Sequence, residues 1–242
     1  MEIYQNKGDF KLLTSPKYLI SQLQNIEEAG RTCYQSFKGE ITEETSRKFI
    51  KMIMGLGHLS VIEHSNLSVK FFNVSRGFTH EVVRHRLASF SQESTRYVDY
   101  AKSGDEKIDL DRFQIKVVAP GHQNINGKVT LSNGDNLSFK QMSENIAEYY
   151  RALRKAGWPA EDARQILPNG LKSDIVVSAN FRQWRHIFSL RCDKPAHWEI
   201  RYVMNKLLLE LKPILSPIFD DFELAGQDNN GLDYYVPKLS AR

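Results

Sequence analysis

Leu67-Ser68-Val69-Lys70-Phe71 alternates apolar with polar residues, the pattern of a half-buried strand. Four positions further on, Ser75-Arg76-Gly77-Phe78-Thr79-His80-Glu81-Val82-Val83-Arg84-His85-Arg86 changes period, with Phe78, Val82 and Val83 on one helical face. The same switch recurs where a strand over Ile175 to Asn180 meets a helix over Phe181 to Arg191. Further helices fit around these two units. Pro16 follows Ser15 at a first helical position, with Leu19, Leu23, Ile26 and Ala29 in register up to Gly30. Thr42, with Glu43 and Glu44, opens another, whose Phe49, Ile50, Ile53 and Met54 face inward until Gly55 and Gly57. Ser138 to Lys155 reads as a long helix with Met142, Ile146, Tyr149 and Leu153 at spacings of three or four, and Pro159 starts a short one. Pro195 starts the last, with Trp198, Tyr202 and Leu209 toward the core. Strands and helices do not alternate regularly, so the expected class is α+β: a single mixed domain with a central antiparallel or mixed sheet flanked by long helices.

The chain has 242 residues, enough for one or two domains at roughly 150 residues each. With no repeat, low-complexity tract or linker, the expectation is one domain over residues 1–216. The stretch 101–136 reads as a surface excursion, with one strand from Gln114 to Ala119 and turns at Asn126-Gly127 and Asn133-Gly134. Residues 217–242 read as a peripheral C-terminal tail. Lys and Arg number 33 against 29 Asp and Glu, so neither disorder nor bulk coating of nucleic acid follows from charge. Cys33 and Cys192 stand alone without CxxC or zinc spacing, which points to a reducing compartment, the cytoplasm by default. No apolar run approaches the roughly 20 residues of a membrane span, and no signal core opens the chain.

Gly55-Leu56-Gly57 lacks the third glycine of a dinucleotide fingerprint, and Gly121 to Lys128 has one residue too many for a P-loop. The density of chemistry lies instead in Arg84-His85-Arg86-Leu87-Ala88-Ser89-Phe90-Ser91-Gln92-Glu93-Ser94-Thr95-Arg96. Guanidinium forks and serine hydroxyls together suit phosphate oxygens; ordinary salt bridges on a solvated helix end are the other reading. A second cluster, Arg164, Asn180, Arg182, Arg185, His186 and Arg191, lies among apolar segments. Unpaired charge there is costly unless a ligand or an acid meets it, and Glu161, Asp162, Asp174 and Asp193 are the acids near in sequence. His58, Glu63, His64, His80 and His85 have poor metal-ligand spacing, with Glu63 and His64 as strand neighbours pointing apart, so no metal is expected. Ser94 would be a nucleophile only if His85 served as its base. Cys192 beside Arg191 reads as an inert buried thiol.

Arg84-His85-Arg86, seven residues, then Ser94 resembles the signature of the flavin-dependent thymidylate synthases. The resemblance extends through Gly57-His58-Leu59-Ser60-Val61-Ile62-Glu63-His64, Ser75 to Glu81, Ala163-Arg164-Gln165-Ile166-Leu167-Pro168, Asn180-Phe181-Arg182, Leu190-Arg191 and Ala196-His197-Trp198-Glu199-Ile200-Arg201. It spans roughly residues 57–97 and 160–201. It implies methylation of dUMP to dTMP, with 5,10-methylenetetrahydrofolate as carbon donor, NADPH as reductant and FAD as hydride carrier. It also implies a homotetramer with active sites between subunits. By matching positions, Ser60, Arg84, His85, Arg86, Gln92, Asn180, Arg182 and His186 would contact FAD. Glu81, Arg84, Gln92, Ser94, Arg96, Arg164 and Arg191 would surround dUMP. Glu81 stands where many relatives carry glutamine, and His186 where asparagine is frequent.

This family needs no covalent cysteine, which demotes Cys192 and Ser94 as nucleophiles. A guanidinium is a poor proton acceptor, so the role expected of Arg191 is to stabilise an ionised uracil. Two rivals remain: a non-catalytic RNA-binding protein, with Phe90, Tyr97, Trp184 or Trp198 stacking bases, and a flavoprotein acting on another pyrimidine.

Overall fold

The Ser15 hydroxyl accepts a hydrogen bond from the Tyr18 amide at 3.3 Å, and Thr42 closes a reciprocal capping box with Thr45. Both caps satisfy amides that a helix start leaves unpaired. They open the first two helices of a computed structural model that describes residues 1–37, 39–101 and 114–238. In chain order the elements are β1 (Glu2–Gln5), β2 (Asp9–Leu12), α1 (Pro16–Tyr34), α2 (Glu43–Gly55), a 3-10 turn at Leu59–His64, β3 (Asn66–Ser75), α3 (Arg76–Val82) and β4 (Ala88–Gln92). There follow β5 (Lys116–Ala119), β6 (Lys128–Thr130), β7 (Asn136–Ser138), α4 (Phe139–Lys155), α5 (Ala160–Ala163), β8 (Lys172–Asn180), α6 (Phe181–Arg191), α7 (Trp198–Ile214), β9 (Phe222–Gln227) and β10 (Asp233–Pro237). A four-stranded sheet runs in the order β2-β3-β8-β4, and three strand pairs complete a mixed α+β architecture.

The residues group into two compact units, each discontinuous in sequence: Met1–Gly8, Phe72–His80 and Gln92–Ile175 in one, Asp9–Phe71, Glu81–Ser91 and Val176–Arg242 in the other. The chain leaves and re-enters each unit without a linker.

In the second unit, α1 packs on α2. Buried Glu27 joins them by accepting from the hydroxyls of Thr45 and Ser46, both at 2.8 Å. Trp184 of α6 is wholly buried and donates its indole N–H to the Leu67 carbonyl of β3 at 3.0 Å. Its ring lies 5.7 Å from Phe188, which meets Phe219 edge-on at 5.4 Å and Phe222 at 6.2 Å. Within residues 217–238, where a peripheral tail was expected, several side chains therefore join the core. Ile218, Phe219 and Phe222 have no exposed surface, and β9 pairs antiparallel with β10. Arg185, buried in α6, donates to both carboxylate oxygens of Asp221 and to the Ile218 carbonyl.

In the first unit, β1 pairs parallel to β5, with Glu2 opposite Lys116 and Gln5 opposite Ala119. Val117, Val118 and Ala119 are buried. That part of 101–136 is core, whereas the β6–β7 hairpin is the exposed portion; residues 102–113 lie outside the described residues. A core cluster joins Tyr100, Ile115, Val117, Ala147, Tyr150, Ala163 and Leu171. On α4 the fully buried residues are Ser143, Ala147 and Tyr150; Leu153 packs half-buried against the same cluster and Met142 and Ile146 are half-buried, whereas Tyr149 is 54 % exposed. Tyr150 has a polar anchor in Asp99 at 3.3 Å. Burial likewise leaves Leu209 of α7 exposed, and α7 begins at Trp198 rather than at Pro195.

Candidate active site

Asn180 ends β8 and caps α6, its side-chain oxygen accepting from the Gln183 amide at 2.8 Å. This fixes the helix start, so Arg182 and His186 project from neighbouring turns, four residues apart. They line a recess of about 520 Å³ with Asn180, Gln183, Glu63 and Leu87. A second recess of about 480 Å³ shares Leu87, Gln183 and His186 and adds Arg84, His85, Arg86 and Arg191. Both belong to the second unit, and both fall in the size range of small-molecule sites.

Helix α3 stops at Val82, four residues short of the expected end, and the irregular segment after it presents Arg84, Arg86 and Leu87 outward. Among the described residues Arg84 and Arg86 have no hydrogen-bond or ion-pair partner. Two unpaired guanidinium groups one residue apart repel each other and attract an anion. His85, between them, turns inward and is buried. Its ring meets His186 edge-on at 5.7 Å, and its Nε2 accepts from the Nε–H of Arg191 at 2.9 Å. Arg191 also donates through Nη1 to the Glu81 carboxylate and through Nη2 to the Glu81 carbonyl at 2.9 Å. The carboxylates that meet these arginines come from far away in sequence: Glu63 pairs with Arg182, Glu81 with Arg191 and Asp221 with Arg185. The sequence-near acids do not supply them. Glu63 and His64 lie in the 3-10 turn rather than on a strand. Glu63, read from the sequence only as a metal-ligand candidate, and Leu87 are lining residues that sequence reasoning missed.

Burial, then Arg191 and His186, push the His85 pKa down from 6.5 to about 4. The folded chain keeps this ring neutral where the unfolded chain, with its ordinary histidine pKa near 6.5, takes up a proton. The stability it contributes is therefore present above pH 6.5 and lost as pH falls toward about 4. His85→Gln is expected to flatten that fall, read by urea unfolding at several pH values. An unchanged slope in the variant would contradict the assignment, since His197, also lowered by burial, acts equally in both proteins.

The remaining sequence-predicted residues divide. Ser60 is exposed on the 3-10 turn and lines neither recess. Gln92, Ser94, Arg96 and Arg164 belong to the first unit. There Gln92 donates to Thr79 at 2.7 Å, Ser94 Oγ accepts from the Arg96 amide at 3.2 Å, and Arg96 pairs with Glu161 at 2.6 Å. Arg164 donates to Thr95 at 3.1 Å and to the Glu161 carbonyl at 3.1 Å. Beneath this loop Glu93 accepts from Tyr100 at 2.8 Å and from Lys172 at 3.2 Å. Ser94, Arg96 and Arg164 thus form one group around residues 94–96. Cys192 is buried, and burial raises its thiol pKa well above the usual range, leaving a poor nucleophile. Among the described residues no cluster of three histidine, cysteine or carboxylate side chains is placed to hold a metal. No described helix is long and apolar enough to cross a membrane.

Residues 17–216 match the family model described as thymidylate synthase complementing protein. A flavin-dependent thymidylate synthase of Geobacter sulfurreducens is 36% identical over 198 residues, covering 80% of this chain and 78% of that protein. One from Mycobacterium sp. (strain KMS) is 34% identical over 213 residues, covering 82% and 79%. Among solved structures, Helicobacter pylori thymidylate synthase X with FAD and dUMP superposes with a TM-score of 0.64 at 22% identity, over 88% of this chain and 98% of that one. A UMP/dUMP methylase from Streptomyces cacaoi bound with 5-Br dUMP gives 0.64 at 18% identity, over 91% and 96%. At these identities the two structures speak for the fold.

Proposed function

The chain belongs to the flavin-dependent thymidylate synthases, and from that premise we propose which of its residues carry the reductive methylation of dUMP to dTMP. FAD, when bound, supplies hydride transfer between NADPH and the one-carbon unit of 5,10-methylenetetrahydrofolate. The residues fit such a group: the recess with unpaired Arg84 and Arg86 adjoins the recess holding Asn180, Arg182 and His186. A dinucleotide presents a diphosphate to charged donors and flat rings to apolar and aromatic walls. In this assignment Arg84 and Arg86 neutralise phosphate charge, Asn180 and Arg182 donate hydrogen bonds, and His85 and His186 offer ring edges. Ser60 and Gln92 complete the FAD contacts.

Glu81, Arg84, Gln92, Ser94, Arg96, Arg164 and Arg191 hold dUMP. Ser94, Arg96 and Arg164 form the anion-binding part, suited to the nucleotide phosphate. Arg191 faces the pyrimidine and stabilises negative charge on its N3–C4–O4 or N3–C2–O2 edge. A permanently charged fork does so without itself exchanging a proton. The enzyme works in the cytoplasm as a homotetramer whose subunits share active sites. The observation that carries this reading is Arg191, held by His85 and Glu81 beside the two unpaired arginines.

Purified protein is expected to carry stoichiometric FAD, seen in its visible absorbance, and to form dTMP only with dUMP, folate and reductant together. A colourless protein with salt-sensitive affinity for single-stranded RNA would establish the RNA-binding alternative instead. Flavin reoxidised by another pyrimidine without folate would establish the other enzyme reading. Ser94→Ala should weaken dUMP binding by about ten- to a hundred-fold, the worth of one hydrogen bond to a charged group, with kcat little changed. Complete loss of chemistry at unchanged affinity would return Ser94 to a nucleophilic role.

A further inference from the structure

Among the described residues, three of the five N–H donors of Arg191 are engaged by two residues, His85 and Glu81. The bond to His85 is informative because a guanidinium has no acceptor. The lone pair must belong to the histidine, so the ring is neutral, with its proton on Nδ1 and none on Nε2. The cation Arg191 at 2.9 Å and the His186 ring at 5.7 Å favour that state, while the Glu81 carboxylate, which alone would favour a charged ring, is paired with the guanidinium of Arg191. Glu81 grips from the other side with two different atoms, a carboxylate oxygen and a backbone carbonyl. Held at Nε, Nη1 and Nη2, the guanidinium cannot turn about its last side-chain bond. These bonds leave one N–H on each Nη nitrogen, fixed in one plane.

We propose that His85 is a positioning residue for Arg191, serving as the neutral acceptor that sets the plane of the guanidinium while Glu81 holds its other end. This rests on the assignment of Arg191 to the pyrimidine and adds a role for His85 distinct from touching the flavin. A lysine at position 191 could not be held this way, having no planar fork. An acceptor matters more than a ring at position 85. Glutamine can place its amide oxygen near the position of Nε2 and accept the Arg191 Nε–H, whereas alanine cannot.

The first test needs no turnover. In protein labelled with ¹⁵N-histidine, the His85 resonances at neutral pH are expected to show a protonated Nδ1 and an unprotonated Nε2. A proton on Nε2, or a cationic ring, would overturn the proposal. The second test compares variants. His85→Ala is expected to lower kcat about ten- to a hundred-fold, the worth of a hydrogen bond to a charged group. KM for dUMP and the flavin content should change much less, and His85→Gln should recover most of the rate. In an Arg191→Lys background, His85→Ala should cost little more. A glutamine variant as slow as the alanine variant, or full additivity with Arg191→Lys, would overturn the proposal. Normal turnover by Arg191→Ala would instead overturn the assignment of Arg191, with the NMR result still deciding the hydrogen bond.

Discussion

Arg191→Ala is expected to lower kcat by about 10²–10³-fold while the protein stays folded and retains its flavin. The size follows from removing a preorganised donor aimed at charge that develops during the reaction, which typically costs about 3–4 kcal/mol. The alternative explanation, collapse of the site, is weighed by what the arginine leaves behind. Glu81 is 37 % exposed in its side chain and can turn into water once its partner is gone. His85 Nε2 loses one donor, and burial, the largest cause of its lowered pKa, still disfavours charge on the ring. Neither loss approaches the cost of an uncompensated buried ion, so the melting temperature should move little while dTMP formation per bound flavin falls steeply. Near-normal turnover would remove Arg191 from the chemistry.

Asp221→Ala is expected to destabilise the protein by about 3–5 kcal/mol, the usual consequence of leaving one member of a buried ion pair alone. Arg185 and Asp221 are only 7 and 10 % exposed, and the arginine is held by both carboxylate oxygens. Its face also lies 5.2 Å from the Phe222 ring. Denaturant unfolding measures the loss. The double variant Arg185→Met with Asp221→Leu separates pair from packing: removing both charges should restore most of the stability, because two apolar groups of similar volume avoid the desolvation cost. A single variant as stable as the parent would show that the pair is solvated.

The local parts of this fold were legible because their signals are local. The N-caps at Ser15 and Thr42 and the whole of Phe181–Arg191 follow from residues within a turn of one another. What the sequence hid depends on distant partners. Nothing near Glu2–Gln5 announces a parallel pairing with Lys116–Ala119, and the tail gave no sign that Phe219 and Phe222 pack on Phe188. On α4 the hydrophobic pattern favoured Met142, Ile146, Tyr149 and Leu153, and it could not show that Ser143, Ala147 and Tyr150 are buried while Tyr149 is exposed. The site divides in the same way. Its arginines were visible as a density of charge, but the carboxylates that hold them were not: Glu63 lies 119 residues from Arg182, and Glu81 lies 110 from Arg191.

The hairpin β9–β10 carries a practical warning. The match to the family model ends at Ser216, an inviting place to shorten the gene. Yet a chain ended there would strip the cover from Phe188, strand the Arg185 guanidinium without Asp221, and deprive Arg201 of its ion-pair partner Asp228. Because α6 also bears Arg182, His186 and Arg191, such a trimmed polypeptide should surface in inclusion bodies rather than as yellow enzyme. Where that match ends is, for this molecule, inside a folding unit.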